Sequence, residues 1–139
     1  MSDIKVIGFN FSKILAEKIS SEFKNLKIER NISIESVEKT KPATIQVKDD
    51  LLEVKFKYEI NYRPDMAKIE FSGTLLATAD QKTAKEFLSE WKNKKFPEKH
   101  RMVLFNVIMR KSDIRALEIE DELGLPLHVS LPLIREEKK

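Results

Sequence analysis

Cysteine is absent from the chain, which removes disulfide frameworks, thiolate metal sites and thiol nucleophiles together. Only three glycines are present, too few to build a phosphate-cradling loop, and no nucleophile elbow, zinc-spaced cluster or paired His-carboxylate motif occurs. No apolar run approaches the roughly 20 residues that span a bilayer. The opening MSDIKVIGFN has neither a basic leader nor a signal-type apolar stretch. These absences lead us to expect a cytoplasmic protein that is not an enzyme, uses no cofactor or metal, and acts by binding macromolecules at its surface.

What is present suits a folded domain. A length of 139 residues is enough to bury a core without covalent staples. Hydrophobic residues at 41% and charged residues at 35% argue for a soluble, globular chain. Abundant Lys and Glu beside so little Gly resembles the composition of heat-adapted proteins. Net charge is only +3, but its distribution is uneven. Lys92, Lys94, Lys95, Lys99 and Arg101 stand against Glu98 alone, and Asp113, Glu118, Glu120, Asp121 and Glu122 stand against Arg115. Such poles either steer a partner or are ordinary solvated faces.

Periodicity predicts strands first. IKVIGFNF alternates imperfectly, as a strand with a glycine bulge would, and SKILAEKISSEFKN reads as a short helix or an irregular strand. Leu26, Ile28, Ile32 and Ile34 keep even positions with Arg30 as the polar exception, marking a strand buried on one face. Lys41-Pro42 should break the chain. Val54, Phe56, Tyr58, Ile60 and Tyr62 then oppose Glu53, Lys55, Lys57, Glu59 and Asn61, and alternation resumes after Arg63-Pro64-Asp65-Met66 through Ala67, Ile69, Phe71, Gly73, Leu75 and Ala77. A long hairpin is expected.

Helices follow. Thr83 and Glu86 have capping-box spacing before the apolar stripe Ala84, Phe87, Leu88 and Trp91, which predicts a helix to about Asn93. Phe96-Pro97-Glu98 suits a second start, and Met102, Phe105, Val107, Ile108 and Met109 give it a broad apolar surface with Phe105 in the core. Ser112 and Asp113 either cap a third helix or lie within one long helix. Gly124 should cap its end and Pro126 forbid continuation. LPLHVSLPLIREEKK reads as extended packing material with a frayed tail.

Few residues suggest chemistry. His100 sits between Lys99 and Arg101, where repulsion disfavours its charged form, and His128 lies in an apolar extended segment without visible partners. Glu118, Asp121 and Glu122 could share a helical face toward a hard cation, though such clusters are usually just solvated. Phe87 and Trp91 read as core anchors, while Phe96 is the aromatic placed within the basic run.

The hairpin VKFKYEINYRPDMAKIEFSGTLLATAD, the helix containing VLFNVIM and the ending LGLPLHVSLPLI, in that order, resemble the SecB-like family of export and antitoxin chaperones. The resemblance covers most of the chain from about Ile28 to Ile134. It implies one α+β domain over residues 1–134, with an antiparallel sheet, a long hairpin and C-terminal helices, ahead of a charged tail at 135–139. It also implies a dimer or tetramer and a holdase that takes unfolded or nascent polypeptides into apolar grooves without nucleotide hydrolysis. Leu76, Phe87, Trp91, Leu125 and Leu127 are then the candidate client-binding residues. The chain departs from the family in its basic charge and in having single prolines at Pro126 and Pro132. A second reading is a ribosome- or RNA-associated factor, such as a stress or subunit-dimerisation factor. It would use Lys92, Lys94, Lys95, Lys99, Arg101, Arg110 and Lys111 on phosphates.

Overall fold

The computed structural model describes residues 4–20, 22, 24–40, 49–93 and 98–131, the side chains of 98 and 99 excepted. Four antiparallel strands, β1 (Lys5–Lys18), β2 (Lys27–Thr40), β3 (Asp50–Arg63) and β4 (Ala67–Ala79), form one sheet in the order β1-β4-β3-β2. Two helices follow, α1 (Gln81–Lys92) and α2 (Glu98–Leu123). α1 packs against β2, β3 and β4, and α2 against β1, β3 and β4.

The period-2 pattern of the hairpin decides which sheet face is covered. Leu52, Val54, Phe56, Tyr58, Ile60 and Tyr62 are buried, and β4 places Leu75, Gly73, Phe71, Ile69 and Ala67 beside them on the same face. Gly73 is required there, because a Cβ would strike the backbone oxygen of Asn10 and come within 2.6 Å of Phe56 Cζ. The Phe56 ring instead lies over this gap and stacks on Phe9 at 5.0 Å.

Residues 12–18, read as helix or irregular strand, continue β1 without a break to Lys18. Two register shifts, between Val6 and Gly8 and between Phe11 and Lys13, change the phase of the side chains. Phe9, Phe11 and Ile14 thereby share the helix-facing side with Leu75, Gly73 and Phe71, and their uneven spacing imitates a helical one. The bulge at Gly8 is as expected. The Lys41-Pro42 break lies outside the described residues.

At α1 the cap differs from expectation. Asp80, not Thr83, is the N-cap: its carboxylate accepts from the Thr83 amide at 2.7 Å, and Thr83 is itself buried. α2 is a single helix of about 39 Å, with Ser112 and Asp113 in its middle. It ends in a Schellman motif. Gly124 is left-handed (φ 67°), its amide donates to Asp121 O at 3.3 Å, and the Leu125 amide donates to Glu120 O at 2.8 Å.

Two apolar clusters lie between the layers. Leu104 and Ile108 meet Val54, Phe56, Leu75 and Phe87, while Ala116, Ile119 and Leu125 meet Tyr58, Ile60, Tyr62, Ile69 and Phe71. The apolar surface expected on α2 holds at Ile108 and Val107, whereas Met102 is exposed and Leu104 takes the core place expected of Phe105. Leu104 is fully buried and Phe105 only half so, because the step from 104 to 108 keeps one helix face on the sheet.

Candidate functional site

α2 and β3 run side by side, and their spacings nearly match. Two helical turns from Asp113 to Glu120 rise about 10.5 Å, and four strand residues from Tyr58 to Tyr62 span about 13 Å. Each tyrosine hydroxyl therefore finds a carboxylate: Tyr58 donates to Asp113 Oδ1 at 2.5 Å and Tyr62 donates to Glu120 Oε2. Arg30 reaches from β2 to Asp113 Oδ2 at 2.8 Å. Burial, followed by these carboxylate hydrogen bonds, pushes both phenols above their ordinary pKa.

The Gly124 turn sends residues 125–131 back over this row. Tyr62 also donates to Pro126 O at 3.0 Å, and the His128 amide donates to Glu120 Oε2 at 3.0 Å. The His128 ring sits between the two acids, Nδ1 2.7 Å from Glu120 Oε1 and Nε2 3.1 Å from Asp113 Oδ1. Burial opposes charge on this ring, but Glu120 and then Asp113 outweigh it and raise its pKa above 6.5. His128 shows no partner along the sequence: Tyr58 is 70 residues away, and Glu120 and Asp113, 8 and 15 residues back, meet it only because the Gly124 turn reverses the chain. The available signals were Arg30 interrupting an apolar row and two acids seven residues apart on one helix.

Large apolar side chains are exposed around this framework: Ile14 and Ile19 at the β1 edge, Val103 and Ile114 on α2, and Leu127 and Leu131 in the closing segment. Val103 and Ile114 are three helical turns apart and share the side of α2 turned from the sheet.

The candidate client residues are scattered. Phe87 and Leu125 are buried core members with no surface for a client, because α1 and the Schellman turn press them onto the sheet. Trp91 is half-buried against the first cluster, Leu76 lies on the helix-free face beside Gly8, and Leu127 is exposed. Of the basic residues, Lys92, Arg101, Arg110 and Lys111 are exposed. Arg101 and Arg110, nine residues apart on one helix, point to opposite sides. Lys94, Lys95 and the side chain of Lys99 lie outside the described residues, as do Phe96, Pro97 and residues 132–139.

The acidic pole is likewise divided: Asp113 and Glu120 turn inward, while exposed Glu118 pairs with Arg115 at 2.9 Å. No cluster of three His, Asp or Glu residues suited to a metal occurs among the described residues. The His100 ring packs 5.8 Å from Phe87. None of the described helices is long and apolar enough to cross a membrane.

The arrangement of four antiparallel strands with two helices on one face is an α+β architecture of SecB-like fold. One solved neighbour is the Mycobacterium tuberculosis Rv1957 SecB-like chaperone, in complex with a ChAD peptide from the Rv1956 HigA1 antitoxin. It matches at TM-score 0.55 and 13% identity over 95% of this chain and 88% of that one. A protein of unknown function from Streptococcus agalactiae matches at TM-score 0.49 and 10% identity, over 96% of this chain and 99% of that one. No family model matches the sequence, and no curated protein matches it.

Proposed function

We propose that this protein holds extended or unfolded segments of other polypeptides, without nucleotide hydrolysis. The observation that carries this reading is the fold match over 95% of the chain to a chaperone solved with a bound peptide. The exposed Ile14, Ile114, Leu127 and Leu131 support it, since each can bury apolar area against a client at about 25 cal/mol per Å². Self-association is part of the reading. Val103 and Ile114, exposed on the side of α2 away from the sheet, offer apolar area that a further copy can cover, and weak client sites on an oligomer gain avidity.

The test is light scattering of an aggregating, chemically unfolded client with the purified full chain and no nucleotide. Aggregation should be suppressed at near-stoichiometric ratios, with little change between about 50 and 200 mM salt, because apolar capture does not release counterions. Unabated aggregation at large excess, or co-sedimentation with RNA that collapses over the same salt range, would overturn the proposal.

A further inference from the structure

His128 is the only described ionisable residue in the closing segment, 125–131, and its side chain is 2% exposed. The groups facing it are Arg30 from β2, the hydroxyls of Tyr58 and Tyr62 from β3, and Asp113 and Glu120 from α2. A neutral imidazole has one N–H and one lone pair, so it can donate to only one of the two acids and turns its lone pair toward the other. An imidazolium donates to both. The charge count agrees: two carboxylates against Arg30 leave one negative charge, which a charged His128 cancels.

The two halves of the segment are held differently. Leu125 is buried and tied by the Schellman turn, neither of which depends on pH near neutrality. Beyond it, Leu127 and Leu131 are 39% and 50% exposed. Among the described residues, His128 is the one member of 127–131 that hydrogen-bonds to the rest of the protein.

We propose that His128 is a proton-gated latch. When charged, its ring joins residues 127–131 to both acids; when neutral, it keeps one ring bond and the backbone amide bond to Glu120, and the segment loosens over the edge of the cluster around Tyr58. Because the folded pKa is raised, the extra stabilisation from the second ring proton is present below the ordinary value of 6.5 and is lost as pH rises through the raised value. The latch is independent of the polypeptide-binding reading, and its test contains no client.

The test is NMR on the full wild-type chain from about pH 5.5 to 9.5. It follows the imidazole nitrogen shifts of His128 and the backbone Cα order parameters of residues 127–131. More than half of the rings should carry both protons at pH 6.5. As it titrates above that, order parameters of 127–131 should fall from about 0.85 toward 0.6 or below, with β3 unchanged. Asp113→Asn should move both the titration and the loosening to lower pH together. A ring already neutral at pH 6, or a titration that leaves 127–131 as ordered as before, would overturn the latch. The wild-type curves decide the matter even if the variant fails to fold.

Discussion

Arg30 Nη1 lies 2.8 Å from Asp113 Oδ2, so the one polar residue in the apolar row of β2 meets an acid in the middle of α2. Each is an anomaly in its own element and each accounts for the other. Because the guanidinium is partly exposed, solvent screens the pair. A double-mutant cycle of Arg30→Ala with Asp113→Asn should return a coupling of about 1 kcal/mol by urea unfolding. A coupling near zero would mean that Tyr58 and His128 hold Asp113 unaided.

Gly73→Ala should destabilise the fold by about 2–4 kcal/mol, since the new methyl must displace the Phe56 ring or push β1 from β4. Thermal unfolding checks this. A variant with wild-type stability would show that Phe56 and Phe9 repack freely, against their close stacking.

On α2, Leu104→Ala should cost about 2–5 kcal/mol, the range for a fully buried leucine. Phe105→Ala should cost distinctly less despite the larger side chain, because its ring is only half-buried. Chemical denaturation of both variants ranks them, and the reverse order would rotate the helix.

Glu70 lies flat on the helix-free face, with Lys13 at 2.8 Å and Lys57 at 3.1 Å. Hydrogen bonds from these lysines hold its pKa down to about 2. The folded value is depressed, so the stabilisation is present above about pH 4.5 and is lost as pH falls toward 2. Glu70→Gln should therefore be less stable than wild type at pH 7, by about 1 kcal/mol given the exposed lysines, and the gap should narrow as pH falls to about 2. Urea midpoints at both pH values test this, and a gap that persists in acid would place the cause in packing.

Local chemistry was enough to read much of the fold. Strict alternation from Val54 to Tyr62 reports a half-covered sheet, because side chains of a strand point to opposite faces wherever the strand lies. Gly124 before Pro126 marks a helix end for the same local reason. β1 was harder to read, since its bulges shift the alternation and only the register with β4 shows which side chains share a face.

The candidate site was less legible, for a reason of distance. Tyr58, Tyr62, Asp113, Glu120 and His128 carry no shared motif, and each alone has an ordinary explanation. By itself the sequence determined the hairpin strands, their covered face, the end of the last helix and the absence of thiol chemistry, all of which depend on residue type and near-neighbour spacing. Only the tertiary structure decided that His128 lies between two acids that raise its pKa, rather than inert in an apolar strand. A pKa is set by what surrounds a group in space, and here those surroundings come from β2, β3 and α2 together.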